Sequence, residues 1–570
     1  MQMHTGVQRP SSRSADPAPA WLIFVLLLVA VSAASVLFLS PSYEEFPMDD
    51  AYIHLVYARN LAEDGKLYFN VPGEPGVGTS SVLWTLLLAG GAAIGWPVHL
   101  VAKGLGILSL AVVGVCIYSL LRPTWGARLS VVCATLVALS GNMVWYALSG
   151  METTLFLALG LLAILAYRQR TWWLIGALLG LATLTRIEGA VLLAAIVIVE
   201  LLCRRRVEPG LIVAAGVWSV LCAPWFGFLL LRTGHLLPTS GIGKHFTSQI
   251  AMQSIMDRSP ALAVLASIPG LVYVASSILF LFEFNLGGHA LPSPTVTFTA
   301  SVGSPPYTVS VWAMALWLGA ILPLLWAGGR RLFSVSAWKS WILDRDHQAL
   351  LAFGAWVLLH NLSFMAYLPV PGTAGRYGAP NHLVLWMGLV AGLSAFARRR
   401  LRLRFMVGAV ALLAVVELFY WDGVYDANLD HMNSVRIAAA RYVREEFPPP
   451  DVCAAFDIGA VRYHSQRPIV DLGGLIEPEA HRWLEDGAVD QYLLKQEVTC
   501  LVVPSSMDVT EEGWFDLLAM AGVKDSKTLG LGEVASFSID YDRWLRGYLA
   551  TTNYQASVDV YRLMPLGTLD

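Results

Sequence analysis

Long apolar runs separated by short polar segments make up most of the chain before residue 422. Several runs reach the roughly 20 residues that a helix needs to cross a bilayer, so they predict membrane spans. Arginines collect in some of the connecting segments, and loops rich in arginine stay on the cytoplasmic side. The predicted cytoplasmic loops are 122–128, 168–170, 204–206, 330–339 and 398–404. The eleven predicted spans lie near 21–40, 98–121, 128–147, 152–167, 172–186, 188–203, 209–231, 309–327, 349–369, 379–397 and 403–420.

This pattern predicts a multi-pass protein of the cell membrane whose N-terminus is cytoplasmic and whose C-terminal domain is extracytoplasmic. Two further apolar stretches, Ser81 to Ile94 and Ala261 to Phe282, would put arginine-rich loops outside if both were crossings. We therefore expect both to be re-entrant or interfacial helices, although counting them as crossings gives thirteen spans. The predicted organisation is a disordered cytoplasmic tail at 1–20, a transmembrane domain at 21–421 with outer segments at 41–97 and 232–308, and a soluble domain at 422–570.

The last 149 residues alternate short apolar runs with polar, helix-like segments. Val452 to Gly459, Pro468 to Leu475 and Cys500 to Pro504 each predict a buried strand followed by a turn, which indicates an α/β domain. Cys453 and Cys500 each stand at the start of a strand, and we expect them to form a disulfide if this domain lies outside the cytoplasm.

The composition indicates an integral membrane protein. The chain is 56% hydrophobic and only 14% charged, with a mean hydropathy of +0.58, whereas soluble domains carry about 25% charged residues. The net charge is −3, and no basic cluster looks built to bind nucleic acid, so no nucleic-acid partner is expected. The six cysteines lack the spacing of metal ligands.

Five polar motifs fall on the outer face in the eleven-span prediction, although arginines elsewhere define that prediction. They are Asp49-Asp50, Ser149 to Glu152, Arg186 to Gly189, Leu237 to Thr239 with Lys244, and Gly375 to Tyr377. Charged groups at membrane depth are costly and tend to face a shared aqueous cavity. The pattern therefore predicts one polar site at the outer surface of the membrane.

The stretch between the first span and residue 84 resembles the first outer loop of GT-C glycosyltransferases, which take sugars from polyprenyl phosphates. The resemblance rests on Asp49-Asp50-Ala51-Tyr52-Ile53, Arg59-Asn60-Leu61-Ala62, Gly65, Phe69-Asn70, Gly73-Glu74 and Thr79-Ser80 through Trp84. The bacterial terminal, B-type arabinofuranosyltransferases are the most similar named group. Two positions depart from the family pattern: Ile187 replaces a proline, and Thr239 stands where asparagine is usual.

The resemblance implies a fold, a reaction and roles for residues. The fold is a polytopic α-helical GT-C membrane protein with a C-terminal extracytoplasmic α/β domain. The reaction is inverting transfer of a sugar from a polyprenyl-phosphate-linked donor to an envelope glycan, lipid or protein on the outer face. Candidate catalytic residues are Asp49 and Asp50; candidate donor or phosphate ligands are Arg186, Lys244, Arg376 and Tyr377; candidate acceptor or cavity residues are Tyr52, Arg59, Glu152, Glu188 and His235. Membrane lipids, the polyprenyl-phosphate sugar and the acceptor are the expected partners.

Simpler explanations exist for each motif. Asp49 or Asp50 can cap a helix, Arg186 and Glu188 can form a structural ion pair, and a loop lysine can be merely solvated. Adjacent carboxylates can also hold a divalent metal, and this alternative stays open, but no metal ligand is assigned and no cofactor is firmly predicted. The main alternative function is a transporter or flippase of lipid-linked sugars. Such proteins often carry inverted repeats, which this sequence lacks, and its motifs cluster in one half.

Overall fold

The structure is a computed structural model of the full chain. It describes residues 19–38, 42–205, 208–246, 344–368, 372–396, 400–505, 521–539 and 557–566, with a strand pair at 295–298 and 307–310 and a few isolated positions. The predicted stretch 261–282 and the predicted span 309–327 lie outside the described residues, apart from 309 and 310 at the end of that strand pair and isolated positions in the span.

Helices dominate the described residues before residue 447. In order they are α1 (Ala20–Leu37), α2 (Asp49–Asp64), α3 (Val82–Ala93), α4 (Val98–Trp125), α5 (Ala127–Leu139), α6 (Gly141–Leu148), α7 (Thr153–Gln169), α8 (Trp172–Thr185), α9 (Gly189–Arg204), α10 (Pro209–Thr233), α11 (Arg345–Tyr367), α12 (Ala379–Phe396), α13 (Arg400–His431) and α14 (Ala438–Glu446). A 3-10 helix, Thr373–Gly378, joins α11 to α12, and a π-helical turn, Met432–Ile437, joins α13 to α14. Strands β1 (Thr295–Phe298) and β2 (Tyr307–Ser310) form an antiparallel pair.

Four of the described helices, α1, α4, α10 and α11, are long and apolar enough to cross a membrane. The pair α5 and α6, bent by 52° at its break, would add a fifth. Helix α3 is 12 residues long, or about 18 Å, which is too short for a crossing and agrees with an interfacial or re-entrant helix. The predicted number of eleven spans stays a prediction.

Helix α2 carries the two adjacent acids and begins the outer segment. Asp49 and Asp50 occupy its first turn, where negative charge is favourable beside the free N–H groups of a helix. Gly65 adopts a left-handed conformation (φ +65°) that ends the helix. Neither acid supplies the helix's own cap, because Met48 holds the capping position without a side-chain hydrogen bond. The simple capping explanation therefore does not apply to α2 itself.

A five-stranded sheet forms the core of the C-terminal part. Its strands are β3 (Cys453–Ala455), β4 (Ile469–Asp471), β5 (Cys500–Ser505), β6 (Leu529–Ser538) and β7 (Ser557–Pro565), in the order β4-β3-β5-β7-β6. Strand β3 is parallel to β4 and β5, whereas β7 is antiparallel to β5 and β6. Short helices α15 (Gly459–Ser465), α16 (Ala480–Glu485) and α17 (Val489–Lys495) connect the first three strands. This is the α/β architecture predicted from the sequence.

The predicted disulfide is confirmed. Cys453 and Cys500 are register partners on the neighbouring parallel strands β3 and β5, with their Cα atoms 4.4 Å apart, and their sulfurs are bonded. Among the described residues, the other four cysteines are free; three are buried and Cys203 is half-buried. The predicted boundary at residue 422 falls inside α13, because the change from apolar to polar residues there does not interrupt the helix.

The sheet-containing part sits directly on the outer segment that follows α2. The Asn70 side chain donates from Nδ2 to the Ile469 carbonyl (2.8 Å) and accepts from the Ile469 N–H (3.1 Å). Thr239 Oγ1 accepts from the Val77 N–H (2.8 Å) and donates to the Leu475 carbonyl (2.6 Å). Thr239 thus ties both parts of the chain together. These bonds bring Leu475 to the edge of the predicted site.

Candidate functional site

A cavity of about 370 Å³ lies where the predicted polar motifs meet. Its walls come from α2, the loop before α7, the turn between α8 and α9, the segment after α10, the end of α11, the 3-10 helix and the turn after β4. Seven predicted site residues line it: Asp50, Glu152, Arg186, Glu188, Lys244, Arg376 and Tyr377. All five polar motifs contribute charged residues to the cavity, but only Asp50 of the Asp49-Asp50 pair lines it.

Asp50 stands between two positive side chains. Its Oδ2 accepts a hydrogen bond from Lys244 Nζ (2.8 Å), and Arg376 Nη2 donates to the same oxygen. Arg376 is only 4% exposed, so its charge is held largely out of water. Burial raises the pKa of Asp50, but the positive charges of Lys244 and Arg376 outweigh it and hold that pKa well below its usual range. In this arrangement Asp50 is a firmly ionised carboxylate.

Asp49 points away from the cavity, towards the C-terminal part. Its carboxylate accepts the N–H groups of Gly459 (2.9 Å) and Ala460 (2.8 Å), at the start of α15. A Cβ at Gly459 would lie 2.2 Å from the Asp49 carbonyl oxygen, so this contact requires glycine. Burial, followed by the nearby Asp457 carboxylate, raises the pKa of Asp49 to about 6. Asp49 therefore joins two parts of the chain and does not line the cavity.

Arg186 forms a second charged cluster with the two glutamates. Its Nε donates to Glu188 Oε1 (2.6 Å) and its Nη1 donates to Glu152 Oε1 (2.9 Å). The Arg186 guanidinium also lies 5.2 Å from the centre of the Tyr377 ring, within cation–π range. The ion pair expected from the simpler explanation is thus present. All three residues of this cluster line the cavity.

Side chains from α6 and α11 bind the backbone of the 3-10 helix that carries Arg376. Tyr146 Oη donates to the Ala374 carbonyl (2.6 Å), and His360 Nε2 lies 2.7 Å from the Tyr377 carbonyl, to which it donates. Ala374 adopts a left-handed φ of +55°, a strained conformation for a residue with a side chain. The Tyr377 ring stacks on Phe364 with centroids 5.1 Å apart. These contacts fix the direction of the Arg376 side chain.

Three predicted residues lie away from this cavity. Tyr52 Oη donates to Glu45 Oε2 (2.6 Å), Arg59 lies 5.3 Å over the Tyr463 ring, and His235 is exposed after α10. Helical spacing explains the first two: at about 100° per residue, positions two and nine residues after Asp50 fall on the opposite face of α2. The resemblance identified the segment but not the face of the helix.

His54 and Leu475 are among the cavity residues that the sequence did not predict. His54 follows Asp50 by one helical turn, a spacing that places both side chains on one face of α2 and could have revealed it. Its Nδ1 lies 3.0 Å from Thr79 Oγ1. Leu475 reaches the cavity from the turn after β4, and no sequence signal links it to residues more than two hundred positions earlier.

The directions of the two adjacent acids do not fit a shared divalent-metal site. Asp49 binds backbone amides on one side of α2, while Asp50 binds Lys244 and Arg376 on the other. A dication beside Asp50 would face those two positive charges. Within the part of the chain that the structure describes, no group of three or more His, Cys, Asp and Glu side chains could hold a metal ion.

Comparisons with known proteins define the fold. The apo Archaeoglobus fulgidus oligosaccharyltransferase matches with 14% identity and a TM-score of 0.53, covering 85% of this chain and 69% of that one. Archaeoglobus fulgidus AglB with an inhibitory peptide and a dolichol-phosphate matches with 14% identity and a TM-score of 0.50, covering 84% and 69%. ArnT from Cupriavidus metallidurans, bound to undecaprenyl phosphate, matches with 15% identity and a TM-score of 0.47, covering 95% and 98%.

The chain has a GT-C-type fold, as the first outer loop predicted, and it is a polytopic α-helical membrane protein with a C-terminal sheet-containing domain. A family profile described as a domain of unknown function, DUF8728, matches residues 425–558, which include most of that sheet. No curated protein sequence matches the chain.

Proposed function

We propose that the cavity transfers a sugar from a polyprenyl-phosphate-linked donor to an acceptor hydroxyl, with inversion at the anomeric carbon. The observation that carries this proposal is Asp50, an ionised carboxylate in a cavity, paired with two cations from distant segments. A carboxylate can accept the acceptor's proton, and the cations can stabilise the departing phosphate. One site thus holds both groups that the reaction needs.

Lys244 and Arg376 are the proposed phosphate ligands. Both end on a single oxygen of Asp50, so a phosphate entering the cavity meets two donors already directed at one point. A phosphate carries more charge and more acceptor oxygens than a carboxylate, and arginine can bind it with two parallel hydrogen bonds. Donor binding therefore draws both cations from Asp50 towards the phosphate.

The loss of those partners prepares Asp50 to act as the base. With both cations engaged by phosphate, the effect that depresses its pKa weakens and its affinity for a proton rises. The acceptor oxygen attacks the anomeric carbon while its proton passes to Asp50. The bond from that carbon to the phosphate oxygen breaks, and the polyprenyl phosphate leaves with the electron pair. Asp49 has the pKa nearer neutrality, but its bonds to α15 keep it from the acceptor. A general base must first lie within hydrogen-bonding reach of the proton that it accepts, so Asp50 is the better candidate.

The setting of the cavity supports a lipid-linked donor and an outer-face location. The AglB structure of the same fold contains a dolichol-phosphate. The arginine pattern puts the α2 side outside, and a disulfide between β3 and β5 suits an oxidising compartment. The resemblance over residues 49–84 does not identify the sugar, but it makes an arabinofuranosyl donor the first to test, with an envelope glycan, lipid or protein at the cell membrane as the acceptor.

Transfer in detergent separates this proposal from a flippase. We expect the purified protein in micelles to move label from farnesyl-phosphoryl [14C]arabinofuranose to an arabinan oligosaccharide, with release of farnesyl phosphate. A flippase needs a bilayer and makes no such product. If neither this donor nor hexose-bearing donors give product, while the protein moves the same lipids across proteoliposome membranes, the proposed transferase is wrong.

A further inference from the structure

Glu152 presents an unused hydrogen-bond acceptor inside the cavity. The residue is 1% exposed, and its Oε1 accepts from Arg186 Nη1. Its Oε2 is buried and has no hydrogen-bond partner among the residues that the structure describes. A buried carboxylate oxygen left in this way costs free energy, so such an oxygen in a cavity indicates a ligand that donates to it.

His54 faces the same oxygen from α2. Its Nε2 lies 3.8 Å from Glu152 Oε2, which is beyond hydrogen-bonding distance. On the other side of the ring, Nδ1 lies 3.0 Å from Thr79 Oγ1. Burial lowers the pKa of His54, so the imidazole is neutral and carries one N–H. Thr85 Oγ1 also lies 3.4 Å from Nδ1, and it donates to the Ser81 carbonyl (3.0 Å). The Thr79 hydroxyl can then donate to Nδ1, which puts the ring N–H on Nε2, the nitrogen that faces Glu152 Oε2.

We propose that His54 and Glu152 form a subsite that binds one ring hydroxyl of the transferred sugar. An oxygen beside the pair can lie at ordinary hydrogen-bond distance from both atoms. There it accepts from His54 Nε2–H and donates to Glu152 Oε2. Among common ligand groups, a neutral hydroxyl both donates and accepts at one atom, whereas a carboxylate only accepts and an ammonium only donates. The chemistry of the pair therefore favours a sugar hydroxyl over a charged ligand.

The position of the pair suits the sugar rather than the phosphate. His54 lies one turn along α2 from Asp50, which separates their Cβ atoms by about 5–6 Å, close to the width of a sugar ring. The phosphate ligands Lys244 and Arg376 converge at the Asp50 end. The subsite rests on the proposed function for the identity of the sugar, but its chemistry depends only on His54, Glu152 and Thr79.

Monodeoxy donors test the subsite. We expect the wild-type protein to prefer farnesyl-phosphoryl arabinofuranose over one of its 2-, 3- or 5-deoxy analogues by about a hundred-fold or more in kcat/KM, with a parallel preference in affinity measured by calorimetry. His54→Gln and Glu152→Gln should each weaken the native donor and leave that deoxy donor little changed. The preference should then fall about ten-fold or more. Ser80→Ala, at an exposed residue on the same cavity, should keep it.

The outcomes separate the subsite from a structural role and from the proposed reaction. If either glutamine variant weakens native and deoxy donors equally, the residue only supports the fold, and the subsite is wrong. The same conclusion follows if the wild-type protein distinguishes none of the analogues in affinity or in turnover. If the wild type binds the donors with the expected preference but transfers none, the subsite stands and the transferase proposal fails.

Discussion

Asp50→Asn is expected to lower glycosyl transfer by about a hundred-fold or more, because asparagine cannot accept the acceptor's proton. Asp49→Asn, one residue away, is expected to keep transfer within a few-fold. The difference follows from direction: Asp50 lines the cavity, whereas Asp49 binds the first N–H groups of α15. Initial rates with the labelled farnesyl-phosphoryl donor, measured for both variants in the same detergent, provide the comparison.

Donor affinity and stability are the controls for this pair. Asp50→Asn should bind farnesyl phosphate at least as tightly as the wild type, because Lys244 and Arg376 no longer share their charge with a carboxylate. Asp49→Asn should cost about 1 kcal/mol of stability at most, since its amide oxygen can still accept one N–H. Equal loss of transfer in both variants, or full activity in Asp50→Asn, would rule out Asp50 as the base. Glu152 would then become the first candidate.

Arg376→Lys is expected to reduce kcat/KM by about a hundred-fold or more, although it conserves the charge. The guanidinium is buried and directed at Asp50 by its surroundings, with Nη1 also 3.3 Å from Met48 Sδ. A lysine ammonium is a compact point charge on a flexible stem and cannot reproduce the two-pronged geometry that binds phosphate. Kinetics with the same donor measure the loss, and calorimetry with farnesyl phosphate should show weaker binding.

Arg168→Lys is the matched control for this substitution. Arg168 lies in the last turn of α7, is half-buried, and donates from Nη1 to the Ser119 carbonyl (2.7 Å), and it does not line the cavity. Its replacement should change transfer less than a few-fold. If Arg376→Lys binds farnesyl phosphate and turns over as well as this control, Arg376 is not a phosphate ligand.

Much of the cavity could be predicted from the sequence, because its polar residues interrupt apolar runs at positions that a topology places on one face. Glu152, Arg186 and Arg376 each stand out in this way, since a charge at membrane depth costs free energy unless it has a partner or faces water. The free-energy cost of removing these charges from water explains why all three lie together around one cavity. The paired cysteines were predictable for a related reason, as each begins a strand of one small sheet.

The sequence could not predict that Asp49 and Asp50 have different partners, one at the start of α15 and the other in the cavity. Adjacent residues on a helix differ in direction by about 100°, and the partner of Asp49 begins at Gly459, more than four hundred residues later. Nothing local in the sequence reports a contact at that distance. Tyr52 and Arg59 lie away from the cavity for the same reason, because the family resemblance identifies the helix but not its rotation. The spacing of His54 from Asp50, by contrast, is a local signal, because residues four apart lie on the same face of a helix.

The most direct measurement of the central claim is native mass spectrometry of the purified protein after incubation with farnesyl-phosphoryl arabinofuranose and arabinan acceptor. The account predicts that the wild type and Asp50→Asn both carry the bound donor mass. Only the wild type then converts it to bound farnesyl phosphate and extended acceptor, while Arg376→Lys carries little of either lipid. A wild-type protein that binds no farnesyl-phosphoryl lipid at saturating concentration, or an Asp50→Asn variant that converts the donor normally, would contradict it.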